Sequence, residues 1–305
     1  MYQSTHLTDK SIDSGDGRVL ATLDGTTWST VFDFKMPVIW VSKDLVKPGR
    51  LYAAAIHSTR GGIFVADGIS AAKPTEFKKL SNPPRTQGHP YTVASLPDGA
   101  LVVSYSGRMD DPRHTFYNAS GVFYLPATAA CLTDLSTLCA WEDRSNVAMS
   151  YWTKELVVDP LDPSGSTWFV CVFTDWGATR HDGAPPRGGL YRTTDRGKTW
   201  SDKLDGVPHD GDDMGQSRID SVTVVKLPGA ATADLYMTTE GAGLWYSSYD
   251  PTAKDGGLRF TQVWNTCNLL LVTVWVCSDR LLATAAARLS IQPPDGKLAS
   301  KFSCL

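Results

Sequence analysis

A repeated unit of two short strands, a glycine and a further strand constrains the fold of this chain more than any other feature. Apolar segments recur in pairs, and the turn between the members of a pair is rich in Pro, Asp or Gly, which end strands and reverse the chain. After each pair a glycine opens an apolar and aromatic segment, at Gly62-Ile63-Phe64, Gly121-Val122-Phe123-Tyr124, Gly189-Leu190-Tyr191 and Gly243-Leu244-Trp245-Tyr246. Self-similarity of this kind is typical of stacked supersecondary units.

The strand pairs that precede these glycines are predicted at Val38–Val41 with Leu51–Ile56, Tyr91–Leu96 with Ala100–Tyr105, Glu155–Val158 with Thr167–Phe173, and Ile219–Val225 with Asp234–Thr238. The order strand, tight turn, strand, variable loop, glycine, strand, hairpin, strand predicts the four-stranded blade of a β-propeller. One blade cannot bury both of its faces, so blades stack around an axis. We therefore predict an all-β fold, a β-propeller of four-stranded blades.

The two ends of the chain decide the predicted number of blades. Residues 18–33 resemble the last two strands of a blade, and we expect Leu269–Val276 and Leu281–Leu289 to supply its first two strands and close the ring. This closure favours five blades, and six or seven remain open. We expect residues 1–305 to form a single domain, in which residues 265–305 are an atypical tail because no glycine occurs between Gly257 and Gly296.

The segment from Gly188 to Trp200 ties the chain to a known repeat. Its spacing Thr193-x-Asp195-x-Gly197-x-Thr199-Trp200 resembles the Asp-box, the repeat named after bacterial neuraminidases (the BNR repeat). Families that carry it are β-propellers, among them sialidases and xyloglucanase-type glycoside hydrolases. The resemblance implies a structural role for Asp195, and we expect Trp200 to return to the core as a large buried anchor.

A second segment resembles the xyloglucanase-type family more specifically. Val172-Phe173-Thr174-Asp175-Trp176-Gly177, followed after the insertion 178–187 by Gly188-Gly189-Leu190-Tyr191-Arg192, is similar to that family's strand ending in Thr-Asp-x-Gly and its later Gly-x-Tyr-Arg. The resemblance implies that Asp175 is a catalytic carboxylate and that the substrate is a β-glucan or xyloglucan-like polysaccharide. Glycoside hydrolysis requires a second carboxyl group, and the candidates are Asp110 or Asp111 and Asp212 or Asp213.

Polar and aromatic residues concentrate in the loops that follow each second strand and that link the blades. These loops share one face of a propeller and hold five of the six histidines. Functional groups concentrate in loops on a rigid scaffold, so we expect a substrate-binding face there. Its candidate residues are Trp176, Tyr151, Trp152, His57, Arg60, His89, Arg108, His114, His181 and Arg218.

Two other functions remain open beside the glycoside hydrolase. The histidines on the loop face suit a polysaccharide lyase that uses His with Tyr or Arg, and the same face also suits a propeller that binds a carbohydrate or a protein without catalysis. The expected partner is a polysaccharide or oligosaccharide. We expect no catalytic metal and no cofactor, although the adjacent pairs Asp110-Asp111 and Asp212-Asp213 leave a structural calcium open.

Charge and hydropathy argue against several other partners. The net charge is −3 and no block of basic residues is present, so a nucleic-acid footprint is not visible. The longest apolar segment, Leu269–Cys277, is too short to cross a bilayer. We expect a monomer with neither nucleic-acid nor membrane partners.

The cysteines and the first residues bear on location. Six cysteines in 305 residues are no disulfide framework, but Cys131 and Cys139 are close enough in sequence to form a local bridge. Cys171 lies in a strand pattern and is expected to be a buried thiol. The polar segment 1–17 lacks the apolar core of a signal peptide, and the family resemblance implies a secreted protein of extracellular or periplasmic origin.

Overall fold

The computed structural model describes most of the repeated part of the chain. The described residues are 2–5, 16–69, 75–106, 119–146, 149, 153–172, 188–201, 219–226, 229–239, 243–264, 274–277 and 280–283. Within them the regular structure is antiparallel β-sheet, with short 3₁₀ turns at Ala130–Leu132 and Lys254–Gly257.

Four sheets correspond to the four repeats, and we number them as blades. Blade I contains β4 (Val38–Lys43), β5 (Leu51–Ala55), β6 (Gly62–Ala66) and β7 (Lys78–Lys79), and blade II contains β8 (Pro90–Ser95), β9 (Leu101–Tyr105), β10 (Gly121–Leu125) and β11 (Glu142–Asp143). Blade III contains β12 (Thr153–Val158), β13 (Trp168–Val172) and β14 (Gly189–Thr193), and blade IV contains β15 (Ile219–Val225), β16 (Ala233–Thr239), β17 (Gly243–Tyr249) and β18 (Thr261–Trp264). In blade III, Ser201 forms a bridge with Arg192 at the position of a fourth strand.

Two smaller sheets come from the ends of the chain. One contains β1 (Tyr2–Thr5), β2 (Arg18–Ala21) and β3 (Ser29–Asp33), and the other contains β19 (Val274–Cys277) and β20 (Arg280–Ala283). The described residues therefore form six sheets, one more than the favoured five blades.

The expected pairing of the tail with the N-terminal blade is wrong. The neighbour of Arg18–Ala21 is Tyr2–Thr5, in the register Tyr2 with Ala21, whereas Val274–Cys277 pairs with Arg280–Ala283. The tail contributes a hairpin beside blade IV, where β19 contacts β15. A hairpin is the least costly partner for an apolar strand because the loop that must close is short. The extent of the domain over residues 1–305 stays a prediction.

The first strand of each blade contacts the first strand of the next. β1 contacts β4, β4 contacts β8, β8 contacts β12 and β12 contacts β15, which is the arrangement of innermost strands around the axis of a β-propeller. The core lies between the sheets rather than at a single centre. Blades II and III enclose Val102, Val122, Leu156 and Val170, while blades III and IV enclose Phe169, Leu235 and further apolar side chains.

The hairpin that resembles an Asp-box is organised by one threonine and one aspartate. The Thr193 hydroxyl accepts the N–H of Gly197 at 2.9 Å and donates to Asp195 at 2.8 Å, and Asp195 accepts the Thr199 N–H at 2.9 Å. Gly197 has φ 76°, the left-handed region that favours glycine. These contacts fix the turn, which agrees with a structural role for Asp195.

Trp200 is less buried than expected. It is partly buried, and its indole N–H donates to the Arg144 carbonyl at 2.7 Å. The large buried anchor of blade III is Trp168, which is 0% exposed and lies 6.4 Å from the Trp200 ring. A tryptophan at the end of a hairpin keeps one edge in water, whereas a strand residue between two blades is covered on both faces.

The structure confirms both cysteine predictions. Cys131 and Cys139 form a disulfide, and Cys171 is a free, buried thiol. Among the described residues, no helix is long and apolar enough to cross a membrane.

Candidate functional site

An irregularity occurs at the start of the innermost strand in all four repeated blades. In blades I, II and IV one residue of this strand has no opposite partner: Ile39 in β4, Tyr91 in β8 and Asp220 in β15. In blade III, Lys154 and Glu155 of β12 lie opposite a single residue. A β-bulge of this kind bends the strand and changes the direction of a side chain, and bulges are frequent next to active sites.

The bulges of three successive blades bring a polar cluster together. The Lys154 ammonium forms an ion pair with the Asp220 carboxylate of blade IV, and each side chain is only 13% exposed. On the other side, Lys154 Nζ lies 6.0 Å from the centre of the Tyr91 ring of blade II, within reach of a cation–π interaction. The cluster of Tyr91, Lys154 and Asp220 therefore spans two interfaces between blades, which we call seams: the one between blades II and III and the one between blades III and IV. All three residues lie at the same end of the innermost strands.

Glu155 extends this cluster into the seam between blades III and IV. Its side chain is partly buried, and its Oε2 accepts the backbone N–H of Val222 at 3.3 Å. Burial, followed by the charge of Asp220, raises the pKa of Glu155 from 4.5 to about 7, against the opposing effects of the Ser221 and Val222 hydrogen bonds and the Lys154 charge. Glu155 is thus a carboxyl group that exchanges its proton near neutral pH.

Hydrogen bonds hold the strand that carries Lys154 and Glu155 against blade II. The Ser104 hydroxyl donates to the Lys154 carbonyl at 2.6 Å, and the Thr92 hydroxyl accepts the Leu156 N–H at 3.2 Å. The Ser120 hydroxyl accepts the Thr153 N–H at 2.8 Å. Ser104, Thr92 and Ser120 are each 0% exposed, so water does not compete for these bonds and the bulge is rigidly placed.

Two neighbouring groups stay protonated at neutral pH. Burial raises the pKa of Tyr91, and the negative charges of Asp220 and Glu155 raise it further. Burial also raises the pKa of the Cys171 thiol, with Glu155 and Asp220 again adding to the effect. Tyr91 therefore offers a neutral hydroxyl, and Cys171 behaves as an apolar core residue.

Three of the predicted site residues lie within the described residues. His57 is partly buried and its Nδ1 accepts the N–H groups of Thr59 and Arg60, each at 3.2 Å, so the ring caps its own turn. Arg60 is exposed, and His89 is buried at 4% exposure. The backbone N–H of His57 donates to the carbonyl of Gly88, the residue before His89, at 3.2 Å, which brings the two loops together.

The other predicted site residues lie outside the described residues. These are the catalytic candidates Asp175, Asp111 and Asp213 and the binding candidates Trp176, Tyr151, Trp152, Arg108, His114, His181 and Arg218. Their roles stay predictions. No group of three or more His, Cys, Asp or Glu that could hold a metal ion occurs in the described ranges.

Sequence reasoning missed the cluster formed by Tyr91, Lys154, Glu155 and Asp220. Tyr91, Glu155 and Asp220 lie in predicted strands and Lys154 directly precedes one, and the sequence analysis interprets strand residues as scaffold. A signal was present, because Lys154-Glu155 and Asp220 interrupt apolar strand patterns near the first residue of each innermost strand.

Comparisons with known proteins support the fold. No protein-family model matches the chain, and no curated protein matches it. Among solved structures, the periplasmic gluconolactonase of Pseudomonas aeruginosa matches with a TM-score of 0.55 and 10% identity over 95% of this chain and 77% of that chain. A putative 6-phosphogluconolactonase from Bacteroides fragilis has a TM-score of 0.51 and 11% identity over 92% of this chain and 72% of that chain.

An ancestral GH74 enzyme is also similar, with a TM-score of 0.50 and 12% identity over 85% of this chain and 32% of that chain. The chain therefore spans about a third of the length of the GH74 enzyme. At such low identities the likeness shows the fold alone, which is a β-propeller.

Proposed function

We propose that this chain is a hydrolase that cleaves glycosidic bonds in a polysaccharide or oligosaccharide, with a β-glucan or xyloglucan-like chain as its substrate. The observation that carries the proposal is the position of the Glu155 carboxyl group beside the Lys154–Asp220 ion pair at the start of the innermost strands, where burial raises its pKa to about 7. An acid whose pKa lies near the operating pH is suited to donate and accept a proton during catalysis.

Glu155 takes the role of general acid in this proposal. Its proton passes to the oxygen of the leaving sugar as the bond between that oxygen and the anomeric carbon breaks. A water molecule adds to the anomeric carbon, and its proton passes to a second carboxylate, as glycoside hydrolysis by paired carboxyl groups requires. Asp220 is the described carboxylate beside Glu155, while Asp175 is the one implied by the family resemblance.

The position of Asp175 in the sequence is compatible with the same site. The strand that precedes it ends at Val172, which pairs with Thr153 at the start of β12. Val172 therefore lies at the end of blade III where β12 begins, and we propose Asp175, three residues later in the sequence, as the alternative partner, with Asp111 or Asp213 as the other candidates.

The disulfide between Cys131 and Cys139 supports the proposed location. Disulfides persist in oxidising compartments and are rare in the cytosol, so an extracellular or periplasmic origin is consistent with the chemistry of this loop.

The test is a screen of the purified protein against a panel of polysaccharides that includes β-glucans and xyloglucan. Reducing-end release reports hydrolysis, absorbance of an unsaturated product reports a lyase, and proton release from aldonolactones reports a lactonase. Glu155→Gln removes the acid and should lower turnover at least ~100-fold with unchanged substrate binding. Glu142→Gln, which changes an exposed residue of β11, is the matched control and should retain turnover.

Each outcome separates the alternatives. Hydrolysis that Glu155→Gln leaves unchanged removes Glu155 from the mechanism, and the same comparison for Asp175→Asn then tests the predicted carboxylate. Unsaturated products favour the lyase. Lactone hydrolysis without glycan cleavage replaces the proposed substrate class, and glycan binding without any turnover favours a carbohydrate-binding propeller.

A further inference from the structure

We infer that Lys154 is a positioning residue that fixes the Asp220 carboxylate beside Glu155 and divides the acid and base roles between the two carboxyl groups. This inference rests on the proposed function for its catalytic meaning. The placement of the charges is independent of that function and can be measured separately.

The geometry that supports it is the order of the bulges around the axis. Lys154 lies between Tyr91 of blade II and Asp220 of blade IV, with an ion pair on one side and an aromatic ring 6.0 Å away on the other. The ring lies within reach of a cation–π interaction on one side of the ammonium group, and the hydrogen bond from Ser104 to the Lys154 carbonyl fixes the backbone. The ammonium group therefore has few positions available, and the Asp220 carboxylate is held with it.

Within the part of the chain that the structure describes, the groups that face Glu155 come from four strands. They are Tyr91 on β8, Lys154 on β12 itself, Cys171 on β13 and Asp220 on β15, together with hydrogen bonds from Ser221 and Val222. Tyr91 and Cys171 are neutral at neutral pH because burial raises the pKa of each. Among the described residues, the charges that act on Glu155 are therefore those of Lys154 and Asp220, and they act in opposite directions.

Two substitutions should move the titration of Glu155 in opposite directions. Lys154→Met removes the positive charge that lowers its pKa and leaves the Asp220 charge uncompensated, so the midpoint should rise by about one pH unit, as expected for the loss of a nearby opposite charge. Asp220→Asn removes the negative charge, so the midpoint should fall. Lys154→Arg keeps the charge and should retain a midpoint near that of the wild type.

The measurement is a pH titration of the side-chain carboxyl carbons by NMR in protein labelled with ¹³C at glutamate, with the Glu155 signal assigned by its absence in Glu155→Gln. Lys47→Met is the matched control, because Lys47 forms an exposed ion pair with Asp67 at 2.9 Å and should leave the Glu155 midpoint unchanged. If Lys154→Met does not fold, the opposite shift in Asp220→Asn and the retained midpoint in Lys154→Arg still test the inference.

Unchanged midpoints in both Lys154→Met and Asp220→Asn, or shifts in the same direction, overturn the inference. Opposite shifts in a protein that cleaves no glycan support the charge arrangement and contradict the proposed function instead. In an active protein, the limb of the pH–kcat/KM profile that reports Glu155 should move with the NMR midpoint, whereas a purely structural ion pair would change stability without moving this limb.

Discussion

Blade I and blades II to IV have the same backbone irregularity but opposite side-chain chemistry. In blade I the bulge carries Ile39, which packs with Trp40 against the core between blades I and II. In blades II to IV the equivalent residues are Tyr91, Lys154 and Asp220, and Lys154 interacts with the other two across the interfaces between blades. The bulge is therefore a property of the blade, and the side chains it carries decide whether it supports packing or a candidate site.

The same comparison explains why charged residues can lie between blades III and IV. A charged group in a seam requires a partner, because burial without one costs several kcal/mol. Lys154 and Asp220 satisfy each other, and Glu155 receives hydrogen bonds from blade IV. In blade I, Ile39 packs against a cluster of apolar side chains. Predictions that exchange or remove these groups test this contrast.

The largest expected effect comes from placing a charge in blade I. Ile39→Lys places an ammonium group against this apolar cluster and should lower the free energy of unfolding by about 3 kcal/mol. Ile39→Val is the control and should cost about 1 kcal/mol. Chemical denaturation measures both, and equal values for the two variants would contradict the contrast between the blades.

The second effect is the pH dependence that Glu155 gives to stability. Folding raises the pKa of Glu155 from 4.5 to about 7, so the folded protein favours the protonated carboxyl group. The stability that this group contributes is fully present below pH 4.5 and is lost as the pH rises through 7. Glu155→Gln should therefore match the wild type near pH 4 and exceed its unfolding free energy by about 2 to 3 kcal/mol at pH 8.5. A wild-type profile that is flat between pH 4.5 and 8.5 would contradict the assignment.

Thr92→Val tests a hydrogen bond that holds β12, the strand of Lys154 and Glu155, against blade II. The substitution keeps the shape but leaves the buried Leu156 N–H without its 3.2 Å acceptor, so the free energy of unfolding should fall by about 1 to 2 kcal/mol. Thr30→Val changes an exposed residue of β3 and should have almost no effect. A neutral Thr92→Val would mean that the seam between blades II and III does not depend on this bond.

The smallest effect is expected for Tyr91→Phe. Phe keeps the ring beside Lys154, so stability should change by less than about 0.5 kcal/mol. Tyr52→Phe is the matched comparison in blade I, because the Tyr52 hydroxyl donates to Asp44 at 2.7 Å, and it should cost about 1 kcal/mol. A larger loss for Tyr91→Phe would assign its hydroxyl a structural bond.

The sequence alone determined the blade and its repetition. Alternating apolar residues, turns such as Pro97-Asp98-Gly99 and the glycine that opens each third strand are local signals, and the structure confirms strands at the corresponding places. The local disulfide and the buried thiol were also predictable, because sequence separation limits the first and strand burial dictates the second. The predicted carboxylates Asp175, Asp111 and Asp213 depend on family resemblance and stay predictions.

Only the tertiary structure decided which strands pair at the two ends and which polar groups meet. The sequence predicts that Leu269–Val276 and Leu281–Leu289 complete the sheet of Arg18–Ala21, whereas Tyr2–Thr5 is its partner in the structure. No local pattern reports this difference, because pairing depends on which strand is held nearby. Glu155, Lys154 and Asp220 are ordinary polar residues in a strand pattern. Their meeting requires a one-residue bulge in each strand and the stacking of two seams, and these arise from packing between segments that are remote in sequence.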